Sequence, residues 1–208
     1  MFEGDAAVVV FWDVDTQMDF LLPGGRLYVP GAESIIPNLA RLTACARDRH
    51  FPLISSACAH RPGDAELQTY GPHCMADTPG QQKVPETLLP RRYVFPNRPV
   101  RLPDATAFQQ LILEKQEFDV FTNPNTEALL QQVGSELHIV LYGVVTEICV
   151  ASTALNLLER GHRVALVTDA VRAIDSAKAS SFVRDFLKRH GELTTTEDVT
   201  AQEYAKTG

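Results

Sequence analysis

Ala6-Ala7-Val8-Val9-Val10-Phe11-Trp12 is an unbroken apolar run rich in β-branched residues, and three residues later it reaches Asp15. A strand with one wet face alternates apolar and polar side chains. This run does not alternate, so it reads as a strand buried on both faces, as in a parallel sheet covered by helices. Working outward, Leu39, Leu42 and Ala46 recur at helical spacing between Pro37 and His50, with Pro37 tolerated only in the first turn. Phe51 to Ser56 is a second strand, opened by Pro52. Pro62-Gly63, Gly71-Pro72 and Pro79-Gly80 mark loops, and Tyr93-Val94-Phe95 to Val100 is a hairpin or excursion that Pro96 and Pro99 confine to a sheet edge.

Regular spacing returns at Leu111-Ile112-Leu113, then at a helix from Thr126 to Val133 and a strand from Leu137 to Tyr142. Thr146 is placed to cap a helix running from Glu147 through Ala151, Leu155 and Leu158 to Gly161. Val164 to Val167 is a strand, Ser176 to His190 a helix with Phe182, Val183, Phe186 and Leu187 inward, and Leu193 to Thr196 a closing strand. The alternation predicts one α/β domain over residues 1–208, a doubly wound, mostly parallel sheet with helices on both faces.

Composition narrows the function classes. The chain has 208 residues, 45% of them apolar, enough for a sizeable core, and a net charge of −7. No basic cluster is denser than Arg91-Arg92 followed by Arg98 and Arg101, so neither nucleic acid nor an anionic membrane is the expected partner. The first apolar run is too short to span a bilayer, and Glu3 and Asp5 stand where a secretory leader would be positive. Cys45, Cys58, Cys74 and Cys149 are too dispersed for a disulfide scaffold, which points to a reducing cytoplasm. A small-molecule substrate is the expected partner, and homo-oligomerisation is left open.

In such a sheet the ligand crevice lies beyond the carboxyl ends of the strands. Asp15, Cys58, His60, Cys149 and Asp169 all fall at or just past strand ends. Cys149 would sit in the first turn of a helix, where backbone N–H groups and the helix dipole favour thiolate. An inert buried cysteine is the alternative. Asp15, with a suitably raised pKa, could carry a proton between that thiol and a leaving group.

Three segments carry a resemblance. Asp15-Thr16-Gln17-Met18-Asp19-Phe20, Lys115-Gln116-Glu117-Phe118-Asp119-Val120-Phe121 and Gly143-Val144-Val145-Thr146-Glu147-Ile148-Cys149 resemble, in order and separation, the signatures of the isochorismatase-like cysteine hydrolases. The resemblance implies Cys149 as nucleophile, Asp15 as proton shuttle and Lys115 as the cation that holds both anions. It also implies an oxyanion site at the N–H groups of Val145 and Cys149, and a cis peptide between Val144 and Val145. Gln17, Asp19 and Asp169 are read as ordering residues.

Within that family the loop from Ser55 to Gly80 is similar to that of the nicotinamidases. Cys58-Ala59-His60 resembles their Asp-x-His, and Tyr70-Gly71-Pro72-His73-Cys74 their aromatic residue with a His-containing turn. The resemblance implies a divalent metal on His60, Glu66 and His73, with Cys58 replacing the usual Asp and favouring zinc. It implies a substrate clamp of Phe20 and Tyr70. Backbone-bonded histidines, a solvated Glu66 and a core Phe20 are the plainer readings. The activity implied is amide hydrolysis of the nicotinamidase type through a thioester. A metal-independent hydrolase of another amide or carbamoyl compound, or a noncatalytic interaction module, is the alternative.

Overall fold

In the computed structural model, which describes residues 7–202, the apolar run becomes β1, Val8–Val14. Ala6, where the run begins in sequence, lies outside the described residues. Val10, Phe11, Trp12 and Val14 are wholly buried, and burying one such side chain contributes about 1.5–3 kcal/mol relative to leaving it exposed. The elements that follow are α1 (Met18–Leu21), α2 (Ile36–Arg49), β2 (Leu53–Cys58), α3 (Glu66–Tyr70), β3 (Arg92–Phe95) and β4 (Gln110–Lys115). The second half holds α4 (Thr126–Val133), β5 (Leu137–Val144), α5 (Ala151–Glu159), β6 (Arg163–Arg172), α6 (Ser176–Lys188), β7 (Glu192–Thr194) and α7 (Thr196–Ala201).

The seven strands form one sheet in the order β3-β4-β2-β1-β5-β6-β7, and every pairing between them is parallel. Side-chain alternation along β1 divides the core. Val9 and Phe11 pack with Leu39, Leu42 and Ala46 of α2 on one face. Val10, Trp12 and Val14 pack on the other face with Leu129 of α4, Leu157 of α5 and Phe186 of α6. The chain therefore leaves β1 and β5 towards opposite faces, and the space between their carboxyl ends is the switch point where such sheets bind ligands. Gly143 makes the junction tight. Its φ is +120°, and a Cβ there would stand 2.1 Å from the Val14 carbonyl oxygen, so no larger residue fits.

Capping follows local chemistry. Pro37 lies in the first turn of α2, and the Asp175 carboxylate accepts the Ala177 and Lys178 N–H groups at the start of α6. Four expectations are corrected. For Tyr93 to Val100 the edge placement holds and only the hairpin alternative falls: β3 is an edge strand parallel to β4. Thr146 does not cap; Val145 precedes a π-turn, Thr146–Val150, whose wide geometry is fixed by a Val150 N–H bond to the Val145 carbonyl. Leu187 is 46% exposed, because Phe182 and Phe186 already fill the inward stripe of α6. The last strand stops at Thr194, and the Thr195 hydroxyl accepts the Asp198 N–H to start α7. The Val144–Val145 peptide is cis, as the resemblance implied. Among the described residues no helix is long and apolar enough to cross a membrane.

Candidate active site

Asp15 follows the last residue of β1 with a left-handed backbone, φ 49°, a conformation that aspartate tolerates better than most residues. The bend turns its carboxylate to Ser56 on β2, whose hydroxyl donates to Oδ1 at 2.7 Å, and to Lys115 at the end of β4, whose Nζ lies 2.9 Å from Oδ2. Both charged side chains are fully buried. Lys115 Nζ also donates to the Glu117 carbonyl at 3.0 Å and stands 3.5 Å from Cys149 Sγ, so the three family-signature residues meet at one ammonium.

Protonation differs from expectation. Burial would raise the Asp15 pKa, but the Lys115 charge and the hydrogen bonds from Lys115 and Ser56 outweigh it and hold the carboxyl below its ordinary value. Burial favours the neutral form of Lys115 as well, yet Asp15 and the two nearby thiols push its pKa well up. For Cys149 burial wins over the Lys115 charge, and the thiol lies well above its ordinary value. The π-turn start therefore does not make a resting thiolate. These directions leave the cluster as a carboxylate, an ammonium and a thiol.

Gln17 explains the placement of Cys58. Its Nε2 donates to the Cys58 carbonyl at 2.8 Å and its Oε1 accepts the Cys58 N–H at 2.7 Å, clasping the end of β2 from both sides. Held so, Cys58 Sγ lies 3.3 Å from Lys115 Nζ and 3.9 Å from Asp15 Oδ2. This corrects the assignment of Cys58 to the metal group: the short side chain is spent on the ammonium. Asp19 accepts the Cys74 and Arg26 N–H groups, and Asp169 accepts the Thr196 N–H and hydroxyl, both ordering loops as expected.

His60, Glu66 and His73 do converge, with one ligand atom from each within 4.8 Å of the other two. Glu66 Oε1 is 3.7 Å from His60 Nε2 and 3.4 Å from His73 Nε2. The outer ring nitrogens are tied back, His60 Nδ1 to Asp64 at 3.3 Å and His73 Nδ1 to the Gly71 carbonyl at 2.9 Å. Both Nε2 atoms and Glu66 Oε2 are buried without a hydrogen-bond partner. Burial lowers the His60 pKa and keeps its imidazole neutral, the form that binds a metal. Orphaned donor atoms with braced rings fit a divalent ion.

The aromatic expectation divides. Phe20 is 3% exposed and packs in the core with its ring 5.5 Å from that of His73, so it braces the histidine and does not line the cleft. Tyr70 meets Phe118 edge-on at 5.8 Å, and both line an open cleft of about 1200 Å³ together with Glu66 and Ile148. Phe118 was missed as a wall although it stands in the Lys115 segment, since nothing in a linear motif tells which side chain faces the cleft. A smaller hollow of about 270 Å³, lined by Ala46, Phe51 and Phe108, opens at the other ends of the strands, away from these groups. Asp13 was missed too. It is wholly buried on β1 and paired at 3.0 Å with Lys83, seventy positions away in the chain.

Over residues 6–198 the chain matches the Isochorismatase domain family. It is 28% identical over 180 residues to a nicotinamidase of Acinetobacter baylyi, covering 78% of this chain and 80% of that one. It is 26% identical over 193 residues to the maleamate amidohydrolase of Pseudomonas putida, covering 91% and 84%. The crystal structure of the pyrazinamidase of Pyrococcus horikoshii in complex with zinc superposes with a TM-score of 0.71 at 24% identity, over 90% of this chain and 98% of that one. That likeness extends the shared fold to nearly the whole sheet.

Proposed function

The chain belongs to the isochorismatase family, and from that premise we propose that it is a cysteine amidohydrolase of the nicotinamidase type, converting a small aromatic amide to its acid and ammonia. One observation carries the reading: a buried ammonium, Lys115, lies 2.9 Å from the Asp15 carboxylate and 3.5 Å from the Cys149 sulfur. The likeness to a nicotinamidase and to a maleamate amidohydrolase supports amide cleavage.

Cys149 begins as a thiol, its sulfur and the Asp15 carboxylate both gathered at the Lys115 ammonium. As sulfur bonds to the amide carbonyl carbon, the thiol proton passes to Asp15, and Lys115 holds the charge of both partners in place. The Val145 and Cys149 N–H groups receive the oxyanion, a contribution of about 3–4 kcal/mol for one such donor. Collapse breaks the C–N bond, and ammonia departs with the proton from Asp15. Asp15 then takes a proton from water as it attacks the thioester, and returns it to sulfur as the C–S bond breaks. A divalent ion, zinc by its donor set, would be held by His60, Glu66 and His73 and would supply Lewis-acid polarisation beside this step.

Ammonia release from nicotinamide by the purified protein tests the reading. Cys149→Ala should lower it by about a thousandfold or more, and release at the unaltered rate would remove the covalent mechanism. The second reading, a metal-independent hydrolase of another amide or carbamoyl compound, is favoured by the place of Cys58, which stands against Lys115 and outside the His60, Glu66 and His73 group. Elemental analysis for zinc separates the two.

A further inference from the structure

The cleft lined by Ile148 and Ala151, which flank Cys149 in the chain, carries an uneven charge. Asp64, Glu66, Glu117, Asp119, Glu147 and Asp175 line it, and Lys178 is the one cation among its lining residues. Lys178 stands 3.9 Å from Asp175, so that pair largely cancels and the remaining carboxylates do not. Their hydrogen bonds fix them without neutralising them. Asp119 accepts the Phe121 N–H and the Asn156 amide, and Glu147 accepts the N–H groups of Ile174 and Asp175, all neutral donors.

A second feature points to a ligand. The Glu66 side chain is only 7% exposed, lines the cleft, and leaves Oε2 without a partner, as is the buried Glu147 Oε2. A divalent ion held by Glu66, His60 and His73 would cancel two charges and leave the sign of the cleft negative. Between the carboxylates stand the edge-on rings of Tyr70 and Phe118, 5.8 Å apart, which can face an alkylammonium group. Low-dielectric walls of one sign focus the field into the space where a substrate enters.

We propose that this cleft selects amides by charge: it takes those whose distal part is cationic, tolerates neutral ones and rejects anionic ones. The inference rests on the amidohydrolase reading for its substrate class, but its electrostatic core can be tested without turnover. Discrimination comes as much from repelling an anion as from attracting a cation. An amide that carries a free carboxylate, as maleamate does, is then a poor substrate even though a maleamate amidohydrolase is among the relatives.

The test measures reaction of Cys149 with two methanethiosulfonates of similar size, a trimethylammonioethyl and a sulfonatoethyl reagent, followed by peptide mass spectrometry. Their rate ratio is normalised to that of 2-mercaptoethanol. The expected ratio favours the cation by about tenfold at low ionic strength and shrinks several-fold in about 0.5 M salt. Glu117→Gln, at an exposed position, should lower it and Lys178→Gln should raise it. A normalised ratio of one or below, or one unmoved by salt and by both variants, overturns the proposal. In parallel, kcat/KM is compared for 4-(aminomethyl)benzamide, benzamide and 4-carboxybenzamide, with the order cationic, neutral, anionic expected. Equal values overturn the selectivity. Absence of turnover for all three, and for nicotinamide, defeats the amidohydrolase reading instead, and the thiol ratio still decides the charge of the cleft.

Discussion

Cys58 Sγ stands 3.3 Å from Lys115 Nζ, slightly nearer than Cys149 Sγ at 3.5 Å. One ammonium thus serves a carboxylate and two thiols. The thiol of Cys58 is raised by burial and by the neighbouring Asp15 charge, so it adds no second anion to the cluster.

This placement predicts the metal behaviour. Cys58→Ala should leave zinc affinity within about twofold, whereas His60→Ala or His73→Ala should lower it at least about tenfold, as loss of a ligand does. Calorimetric zinc titration of the three variants checks it. A tenfold loss in Cys58→Ala would return the sulfur to the ligand set.

Lys115 and Asp15 are both fully buried, so removing one charge strands the other. Lys115→Met should destabilise the fold by about 3–5 kcal/mol, and the double variant Lys115→Met with Asp15→Asn should recover most of that loss. Urea denaturation at pH 7 measures both. Equal stability of the single and double variants would mean that a stranded Asp15 charge is not what destabilises Lys115→Met.

The direction of the Asp15 shift fixes a pH dependence. Its folded pKa lies below the unfolded value of 3.8, so its contribution to stability is present above that value and is lost as pH falls through the lower folded one. The drop in urea midpoint between about pH 5 and pH 2 should be smaller in Asp15→Asn than in the wild type. The acid limb of kcat/KM should likewise lie below the ordinary carboxylate range. A limb near about pH 6 would assign the base to another group.

Much of this was legible in the chain because it depends on local pattern. The unbroken run of β1 suits a doubly buried strand, and Leu39, Leu42 and Ala46 recur at the spacing of a helix face. What escaped depends on distance and competition. Asp13 and Lys83 meet across a loop that no periodicity describes. Cys58 resembled a metal ligand in linear order, but the Gln17 clasp turns it to Lys115. The expected thiolate at Cys149 reflected the turn alone, while the depth of burial, invisible in sequence, decides the proton. Phe20 matched a clamp position, yet the packing of His73 claims it.

The central claim is that amide cleavage passes through a thioester on Cys149, and nucleophile partitioning tests it most directly. Nicotinamide and methyl nicotinate are turned over in the presence of hydroxylamine, and the ratio of hydroxamate to nicotinate is measured for each. A shared acyl-enzyme has lost its leaving group before it meets hydroxylamine, so the account predicts the same ratio from both substrates and no hydroxamate with Cys149→Ala. Ratios that differ with the leaving group, or hydroxamate formed at the wild-type rate without the thiol, would contradict it.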